Sequence, residues 1–457
     1  MRKKNSFAKF VFTVLILAII AGAGFVYLSP QFEQNKPEIT FKSNKYWNLK
    51  SKIQIQISDQ SSIKYYKITF IDGNNQIVLE EKILSNNTNI NQIIEVNPPK
   101  IDIFYKGTDV KIKVEAVDNS KWNFLNGNSS SSTFDIKVDK TKPIANIINN
   151  SRYIKRGGSA IAIVKISDEN LKDAYITFND EVKFKLTPFS KDNYFISLIA
   201  WPIYIEDFSI VNLVAIDKAG NKTVSKIPLY VQKAKIKKDK IKISEKFIKE
   251  VSTNVLTQSG IEIPNTLEAI FIAENKDVRK QNIDFLRKLA LTEMDYSKIS
   301  SFKIKNFRRL GGSKTVAGYA EKRSYIFQGD KIDEEWHLGI DWAKVKHTKV
   351  KTSNAGKIIF NSYLGIYGNT IVIDHTLGLA SLYAHLSNSN VNLGQSVYRN
   401  SKLGNTGTTG AVLGDHLHFG ILIQGIEVDP VEWMDKRWIK TRITDIIKLA
   451  KKEINKK

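Results

Sequence analysis

The histidines of this chain are concentrated in three short motifs near its C-terminal end. Of six histidines in 457 residues, four lie in the segments 337–341, 383–385 and 414–419, whose sequences are HLGID, YAH and GDHLHF. The motifs lie in apolar segments that are separated by glycine-containing turns, a pattern typical of strands. Imidazole and carboxylate groups are ligands for a divalent metal ion such as zinc, and these motifs could supply them from separate strands.

The last motif leads into a strand. Residues 417–423, with the sequence LHFGILI, are apolar, and residues i and i+2 of a strand project from the same face. We therefore expect His416 and His418 to point into one cleft. A catalytic zinc ion takes three protein ligands at about 2.0–2.2 Å and keeps one position for water. His337, Asp341 and one histidine of the pair would complete this set, and their spacing leaves open which one.

Two imidazoles then remain near the metal, namely His385 and the other member of the pair. Proton transfer and stabilisation of a developing oxyanion are the tasks for which free imidazoles are suited. Two further histidines are expected to do neither. His347 lies in the basic run 344–351 and should be solvated, and His375 should have a structural role at a strand end. For Tyr383, packing in its strand is favoured over a place in the cleft.

The three motifs, in this order, resemble those of the lysostaphin-type (LytM-like) zinc endopeptidases. These enzymes hydrolyse peptide bonds in the stem or cross-bridge of peptidoglycan. The glycine-rich run 404–410, GNTGTTG, also resembles the approach to the last motif of that family. The similarity extends over residues 300–435, which is under a third of the chain.

The resemblance implies a role for each of five side chains. His337, Asp341 and His418 would bind one Zn²⁺ ion, and His385 and His416 would be the catalytic pair. The implied reaction is metal-assisted hydrolysis, in which zinc polarises the scissile carbonyl and lowers the pKa of its bound water to about 7. No His-Glu-x-x-His motif occurs, so a glutamate base on a helix is not expected.

The N-terminal segment predicts a membrane anchor. Residues 1–9 are basic, with Arg2, Lys3, Lys4 and Lys9, and residues 10–28 are uncharged and long enough to span a bilayer. The positive-inside rule places the N-terminus in the cytoplasm and the bulk of the chain in the periplasm or facing the cell wall. A cleaved signal peptide is the alternative, because the sequence Ala-Gly-Ala at 21–23 could admit a peptidase. The chain has no cysteine, which excludes disulfides, a thiol nucleophile and a lipoprotein anchor.

Residues 36–232 predict two immunoglobulin-like β-sandwich modules, 36–140 and 141–232. Apolar and polar residues alternate throughout, and short sequences recur at an offset near 100–110 residues, such as Ile-Ser-Asp at 57–59 and 166–168. The modules are expected to act as spacers with the capacity to dock protein partners. An adhesion or scaffold role is the alternative.

A helical linker, 233–299, and the peptidase domain complete the chain. The linker starts with a basic run, 233–242, and continues in two amphipathic helices, the second announced by a capping-box spacing between Asn265 and Glu268. In some relatives an upstream segment occupies the open zinc position, and this linker could do the same. Residues 300–435 predict an antiparallel sheet with strands at 356–360 and 369–374, and residues 436–457 predict a C-terminal helix that packs on the domain rather than on a membrane surface.

Composition and motifs together define two functional hypotheses. A net charge of +23 fits anionic partners, but no nucleic-acid motif occurs, so the wall polymer or anionic lipid is expected. The first hypothesis is an inner-membrane zinc metalloendopeptidase that hydrolyses stem-peptide cross-links of peptidoglycan, a D,D-endopeptidase if the organism has a periplasm. The second is a catalytically silent member of the same fold that binds the wall and activates another peptidoglycan hydrolase. The bond cleaved is not encoded in these motifs.

Overall fold

The computed structural model describes residues 5–84, 88–102 and 104–456, so the predicted cytoplasmic residues Arg2, Lys3 and Lys4 lie outside the described residues. The chain forms two compact units. The first comprises Met1–Lys142 with Ile216–Lys222, and the second comprises Pro143–Ala215 with Thr223–Lys457. The architecture is mainly β and multidomain, as the alternating sequence predicts. The boundaries of the seven predicted segments remain predictions.

The chain begins with one long apolar helix, Asn5–Leu28, followed by a 3₁₀ turn at Pro30–Phe32. At 1.5 Å per residue its 24 residues span about 36 Å, which exceeds the roughly 30 Å of a bilayer core. By length and composition, Ser6–Leu28 can cross a membrane, as an anchor or as a signal sequence.

The first β-sheet module consists of two sheets whose inward side chains form one core. Alternate residues of Ile53–Ser58 are buried, because Ile53, Ile55 and Ile57 face the opposite sheet. The three-stranded sheet has the order Glu38–Phe41, Ile53–Ser58, Asn91–Val96. The five-stranded sheet has the order Tyr46–Trp47, Ser129–Val138, Asp109–Asp118, Ile63–Asp72, Asn75–Ile83, with a loop of left-handed backbone at Trp122–Leu125.

The second β-sheet module has two four-stranded sheets and a parallel strand pair. One sheet has the order Thr187–Pro188, Tyr194–Ala200, Ser159–Ser167, Ile144–Asn150. The other has the order Val182–Lys185, Leu171–Phe178, Val211–Asp217, Lys222–Lys226. The strand pair is Tyr153–Lys155 with Tyr230–Gln232. Its apolar core is continuous with the core of the C-terminal sheet, so these parts of the second unit share one hydrophobic interior.

The linker is more regular than its sequence indicates. Its basic run contains a strand, Lys238–Lys242, that pairs in parallel with Glu321–Phe327, which in turn pairs with Asp330–His337. The second helix is capped by Thr266, which accepts a hydrogen bond from the Ala269 amide (3.2 Å), rather than by Asn265. The helical segments, some of π type, are Glu245–Phe247, Ile248–Ser252, Thr253–Gln258, Leu267–Ile272, Ala273–Val278 and Arg279–Glu293.

The C-terminal domain is built on an antiparallel sheet, as expected. The order of its strands is Lys314–Ala317, Ile340–Ala343, Leu417–Ile423, Leu379–Ala384, Asn369–Asp374, Gly356–Tyr363, Ser396–Val397, and Ile426–Val428 also pairs with Leu417–Ile423. The two strands predicted here, 356–360 and 369–374, are both present and are joined through a 3₁₀ turn at Gly365–Tyr367. A small sheet of Lys349–Lys351, Lys402–Thr406 and Leu386–Ser389 lies beside it.

Helices close the chain. They are Pro430–Met434, Lys436–Ile439, Lys440–Thr444 and Asp445–Lys456. One face is buried in the core through Ile439, Ile443, Ile447 and Ile454, so the C-terminal segment packs on the protein, as the helical spacing predicts.

Candidate active site

Strand register brings the three motifs together. In the antiparallel pairing of neighbouring strands, Asp341 lies opposite His418, and His418 lies opposite Ala384, which directly precedes His385. His337 ends the strand Asp330–His337, and two residues separate it from the next strand, which starts at Ile340. Residues far apart in the sequence thereby meet at one point of the sheet.

His337, Asp341 and His418 form a compact donor set. His418 Nδ1 lies 2.8 Å from Asp341 Oδ1, His337 Nε2 lies 3.0 Å from Asp341 Oδ2, and the two ring nitrogens are 3.2 Å apart. Bonds of about 2.0–2.1 Å at tetrahedral angles would separate the ligand atoms of a zinc ion by about 3.3 Å. An expansion of a few tenths of an ångström therefore lets these three atoms bind zinc, so the residues fit the ion.

Backbone contacts fix which ring nitrogen each histidine presents. His337 Nδ1 donates a hydrogen bond to the Gly318 carbonyl (2.7 Å), which leaves the Nε2 lone pair directed towards Asp341 and His418. His418 instead presents Nδ1, and its Nε2 is buried without a hydrogen-bond partner among the described residues. The orientation of the His418 ring therefore depends on packing and on the contact of Nδ1 with Asp341.

Gly339 makes the approach of His418 possible. A Cβ atom at this position would lie 2.4 Å from His418 Nε2 and 2.7 Å from the Phe419 carbonyl oxygen, both well inside van der Waals contact. The glycine of the HLGID motif is therefore required by space rather than by turn geometry.

His385 and His416 flank the triad. His385 Nδ1 donates to the Thr409 carbonyl (2.8 Å) and His416 Nδ1 donates to the Gly414 carbonyl (2.7 Å), so both present Nε2 to the cleft when neutral. The two rings are 4.8 Å apart, and His416 Nε2 lies 3.7 Å from Asp341 Oδ1. His385 adopts a left-handed backbone with φ of 60°, a strained conformation of the kind found at functional sites.

Burial and charge set the protonation of the site. Burial lowers the pKa of His418 to about 4 and lowers the pKa of His385 well below its usual range. Burial alone would raise the pKa of Asp341, but His337 and His418 hold the pKa of this carboxyl well below its usual range. Near neutral pH the carboxylate is therefore ionised, while the imidazoles of His385 and His418 are neutral and able to act as ligand or base.

The site opens into a cleft of about 500 Å³ whose far wall comes from the linker. Sequence analysis missed the residues of this wall and one cation beside the triad. Arg323 Nη2 lies 3.8 Å from Asp341 Oδ2, and a Gln328-Gly329 turn with both φ values positive joins the two strands that position Arg323 and His337. Gly329, a residue type that adopts positive φ readily, was the available signal for this turn. The linker residues in the wall are Ile241, Ile243, Phe247, Phe271, Glu274, Asn275 and Arg279.

The residues for which no catalytic role was predicted lie outside the triad. His375 is buried and bonds the Ala355 carbonyl through Nδ1 (2.6 Å) and the Ser381 hydroxyl through Nε2 (2.8 Å). Tyr383 is buried against Phe419, with ring centroids 5.3 Å apart. The His347 side chain is 66 % exposed. Gly410 has a φ of 80°, whereas Gly414 has open space around it.

Comparison with known proteins identifies this part of the chain. Residues 335–430 match the family described as Peptidase family M23. This region belongs to peptidase family M23. His337, Asp341 and His418 form the zinc-binding triad typical of M23 peptidases.

The M23 region resembles several characterised proteins. It is 41 % identical over 95 residues to the DD-carboxypeptidase/endopeptidase Mpg of Neisseria meningitidis serogroup B, covering 21 % of this chain and 22 % of that protein. It is 35 % identical over 96 residues to the peptidoglycan DD-endopeptidase ShyA of Vibrio cholerae, covering 21 % of this chain and 22 % of that protein. The chain thus spans about a fifth of the length of these relatives. The catalytic domain of lysostaphin from Staphylococcus simulans is 27 % identical, with 27 % of this chain and 94 % of that chain covered and a TM-score of 0.24.

Proposed function

We propose that this protein is a membrane-anchored zinc metalloendopeptidase that hydrolyses the peptide cross-links of peptidoglycan. The observation that carries the proposal is the convergence of a His2Asp donor set with two further imidazoles in one cleft. The relatives named as peptidoglycan DD-endopeptidases favour a D,D cross-link as the bond that is cleaved. Peptidoglycan is then the principal partner.

His337, Asp341 and His418 would hold the metal. When bound, zinc supplies Lewis-acid activation of the scissile carbonyl and of the attacking water. The chain's own contribution is to leave one side of the donor set open to the cleft and to keep Asp341 ionised, despite its burial, through its contacts with His337 and His418.

His385 and His416 would move the proton and stabilise the developing oxyanion. Each has its Nδ1 proton committed to a backbone carbonyl, so a neutral ring offers the Nε2 lone pair to a water proton. The lowered pKa of His385 keeps that ring neutral near pH 7, so its Nε2 lone pair is free to accept the water proton, and His416 is assigned to the side of the oxyanion.

The cleft has the charges that a stem peptide would require. Peptidoglycan stems carry free carboxylates, and two arginines line the cleft, Arg279 from the linker and Arg323 from the strand Glu321–Phe327. The linker therefore forms one wall of the binding site in this proposal, rather than a segment that fills the open metal position.

The rest of the chain would place the enzyme at the wall. The helix Asn5–Leu28 is proposed as a single-pass anchor in the inner membrane, with the β-sheet modules on the outer side as immunoglobulin-like spacers that could dock other proteins. Extraction of membranes with alkaline carbonate tests this directly. An anchored chain stays in the pellet at full length, whereas a chain cleaved near the Ala-Gly-Ala sequence at 21–23 is released without the residues before the cleavage site.

The catalytic roles are tested with one variant and one matched control. His385→Ala should retain about one zinc ion per chain and lose cleavage of purified sacculi, because the ring does not belong to the donor set. His347→Ala, which removes an exposed histidine, should cleave like the wild type. Mass analysis of released muropeptides identifies the bond. Normal cleavage by His385→Ala would exclude its assigned role, and a wild-type protein that binds zinc but never cleaves sacculi would favour the silent activator.

A further inference from the structure

The loop of the first β-sheet module at Trp122–Leu125 presents apolar side chains to solvent. Phe124 is 95 % exposed and Leu125 is 64 % exposed. Asn123, Phe124 and Leu125 have φ values of 54°, 55° and 68°, so three consecutive residues occupy the left-handed region. This conformation costs roughly 1–2 kcal/mol for each residue with a Cβ atom. A strained backbone that exposes a phenylalanine and a leucine to solvent indicates that these side chains bind a partner.

Hydrogen bonds attach this loop to the chain that leaves the N-terminal helix. The Lys121 amide donates to the Gln31 carbonyl (2.7 Å), and Lys121 Nζ donates to Gln31 Oε1 (2.6 Å). The Ser120 hydroxyl and the Asn128 side-chain amide both donate to the Glu33 carbonyl, at 2.7 and 3.0 Å. The base of the loop is therefore fixed to residues 31–33.

The attachment places the loop beside the end of the apolar helix. Gln31 is three residues beyond Leu28, a separation of at most about 11 Å along the chain. The Ser29 amide still bonds the Phe25 carbonyl (2.9 Å), and the rings of Phe25 and Phe32 meet edge to face at 6.2 Å. If the helix spans a bilayer, its outer end lies at the headgroup level, and so does the base of this loop.

We propose that the loop Trp122–Leu125 inserts Phe124 and Leu125 into the outer face of the membrane in which the helix is anchored. The ligand is a lipid surface. Aromatic and aliphatic side chains would enter the acyl boundary, and Lys121 would meet lipid phosphates. This second contact is close to the anchor, because the loop is fixed to Gln31, three residues beyond the helix end at Leu28, and it fixes the orientation of the first module on the bilayer. The inference rests on the proposed anchoring of the helix but not on the peptidase activity.

The absence of native cysteine allows a direct test on the full-length chain. A nitroxide label is attached to Asn123→Cys, which leaves Phe124 and Leu125 in place, and the protein is reconstituted into vesicles of phosphatidylethanolamine and phosphatidylglycerol. Electron paramagnetic resonance then compares the label's collisions with oxygen, which concentrates in lipid, and with a water-soluble nickel chelate. The matched control is Phe104→Cys, an exposed phenylalanine (81 %) near the opposite end of the ten-residue strand Ile63–Asp72, about 30 Å away.

The expected result is an oxygen-to-nickel collision ratio severalfold higher at Asn123→Cys than at Phe104→Cys. Adding Phe124→Ser and Leu125→Ser should lower the ratio at Asn123→Cys to that of the control. Equal ratios at both sites, in protein that floats with the vesicles, would refute the loop's role while leaving the anchor intact. Protein that does not float with the vesicles would overturn both, and cleavage of sacculi measured on the same sample would still report on the peptidase proposal separately.

Discussion

Replacing Gly339 by alanine should disable the metal site without removing any metal ligand. The added Cβ atom would lie 2.4 Å from His418 Nε2 and 2.7 Å from the Phe419 carbonyl oxygen. Ordinary contacts begin near 3.4 Å, so the ring or the strand must move by about 1 Å. Strand Leu417–Ile423 is hydrogen-bonded on both sides, which makes rotation of the ring the easier response.

The size of the effect follows from that displacement. Overpacking of a tight site costs about 1–3 kcal/mol of stability. A shift of about 1 Å in a catalytic group can lower the rate about 10²-fold. Perturbing groups around a metal ligand weakens metal binding about 10–100-fold. Gly339→Ala should therefore fold, bind zinc at least tenfold more weakly and lose most cleavage of sacculi.

The assay compares zinc affinity, thermal stability and cleavage for Gly339→Ala and for Gly311→Ala. Gly311 is the matched control because no atom lies within 4 Å of its added Cβ and its backbone is not left-handed. The control should match the wild type in all three measurements. Wild-type zinc affinity and cleavage in Gly339→Ala would show that the close packing of Gly339 on His418 does not position the ligand.

Two further outcomes test the donor set and the protonation of a buried carboxylate. At a free zinc concentration 100 times the dissociation constant, zinc binding should stabilise the wild type by about 2.7 kcal/mol. A chelator or the substitution His418→Ala should remove this stabilisation, measured by thermal melting. His416→Ala should keep it, because the His416 ring lies outside the triad. Burial raises the pKa of Glu432 to about 8 from 4.5, so the folded state keeps a proton that the unfolded chain has lost, and stability should fall as pH rises between these values. Glu432→Gln should flatten that slope in pH-dependent denaturation, whereas Glu453→Gln, on an exposed residue, should leave it unchanged; an unaltered slope in Glu432→Gln would contradict the assignment.

The sequence was most informative where short patterns carry the information. Alternation of apolar residues identified the strands around His418, and the length of the N-terminal apolar run identified the helix, because both patterns depend only on neighbouring residues. It was least informative about pairings between distant segments. The strand Lys238–Lys242 looked like a basic linker because its partner, Glu321–Phe327, is some 80 residues away, and the cap at Thr266 differs from the predicted Asn265 by one residue.

The sequence by itself determined the set of reactive groups, because the histidines and the aspartate of the three motifs supply the nitrogen and oxygen donors that zinc requires. Spacing alone left His416 and His418 equivalent, and family resemblance chose between them. Only the tertiary structure brings His418 Nδ1 to 2.8 Å from Asp341 while His416 stays at 3.7 Å, because that difference comes from strand register and from the space left by Gly339. The far wall of the cleft is likewise a product of folding, because it is made by helices whose own sequence carries no sign of the metal they face.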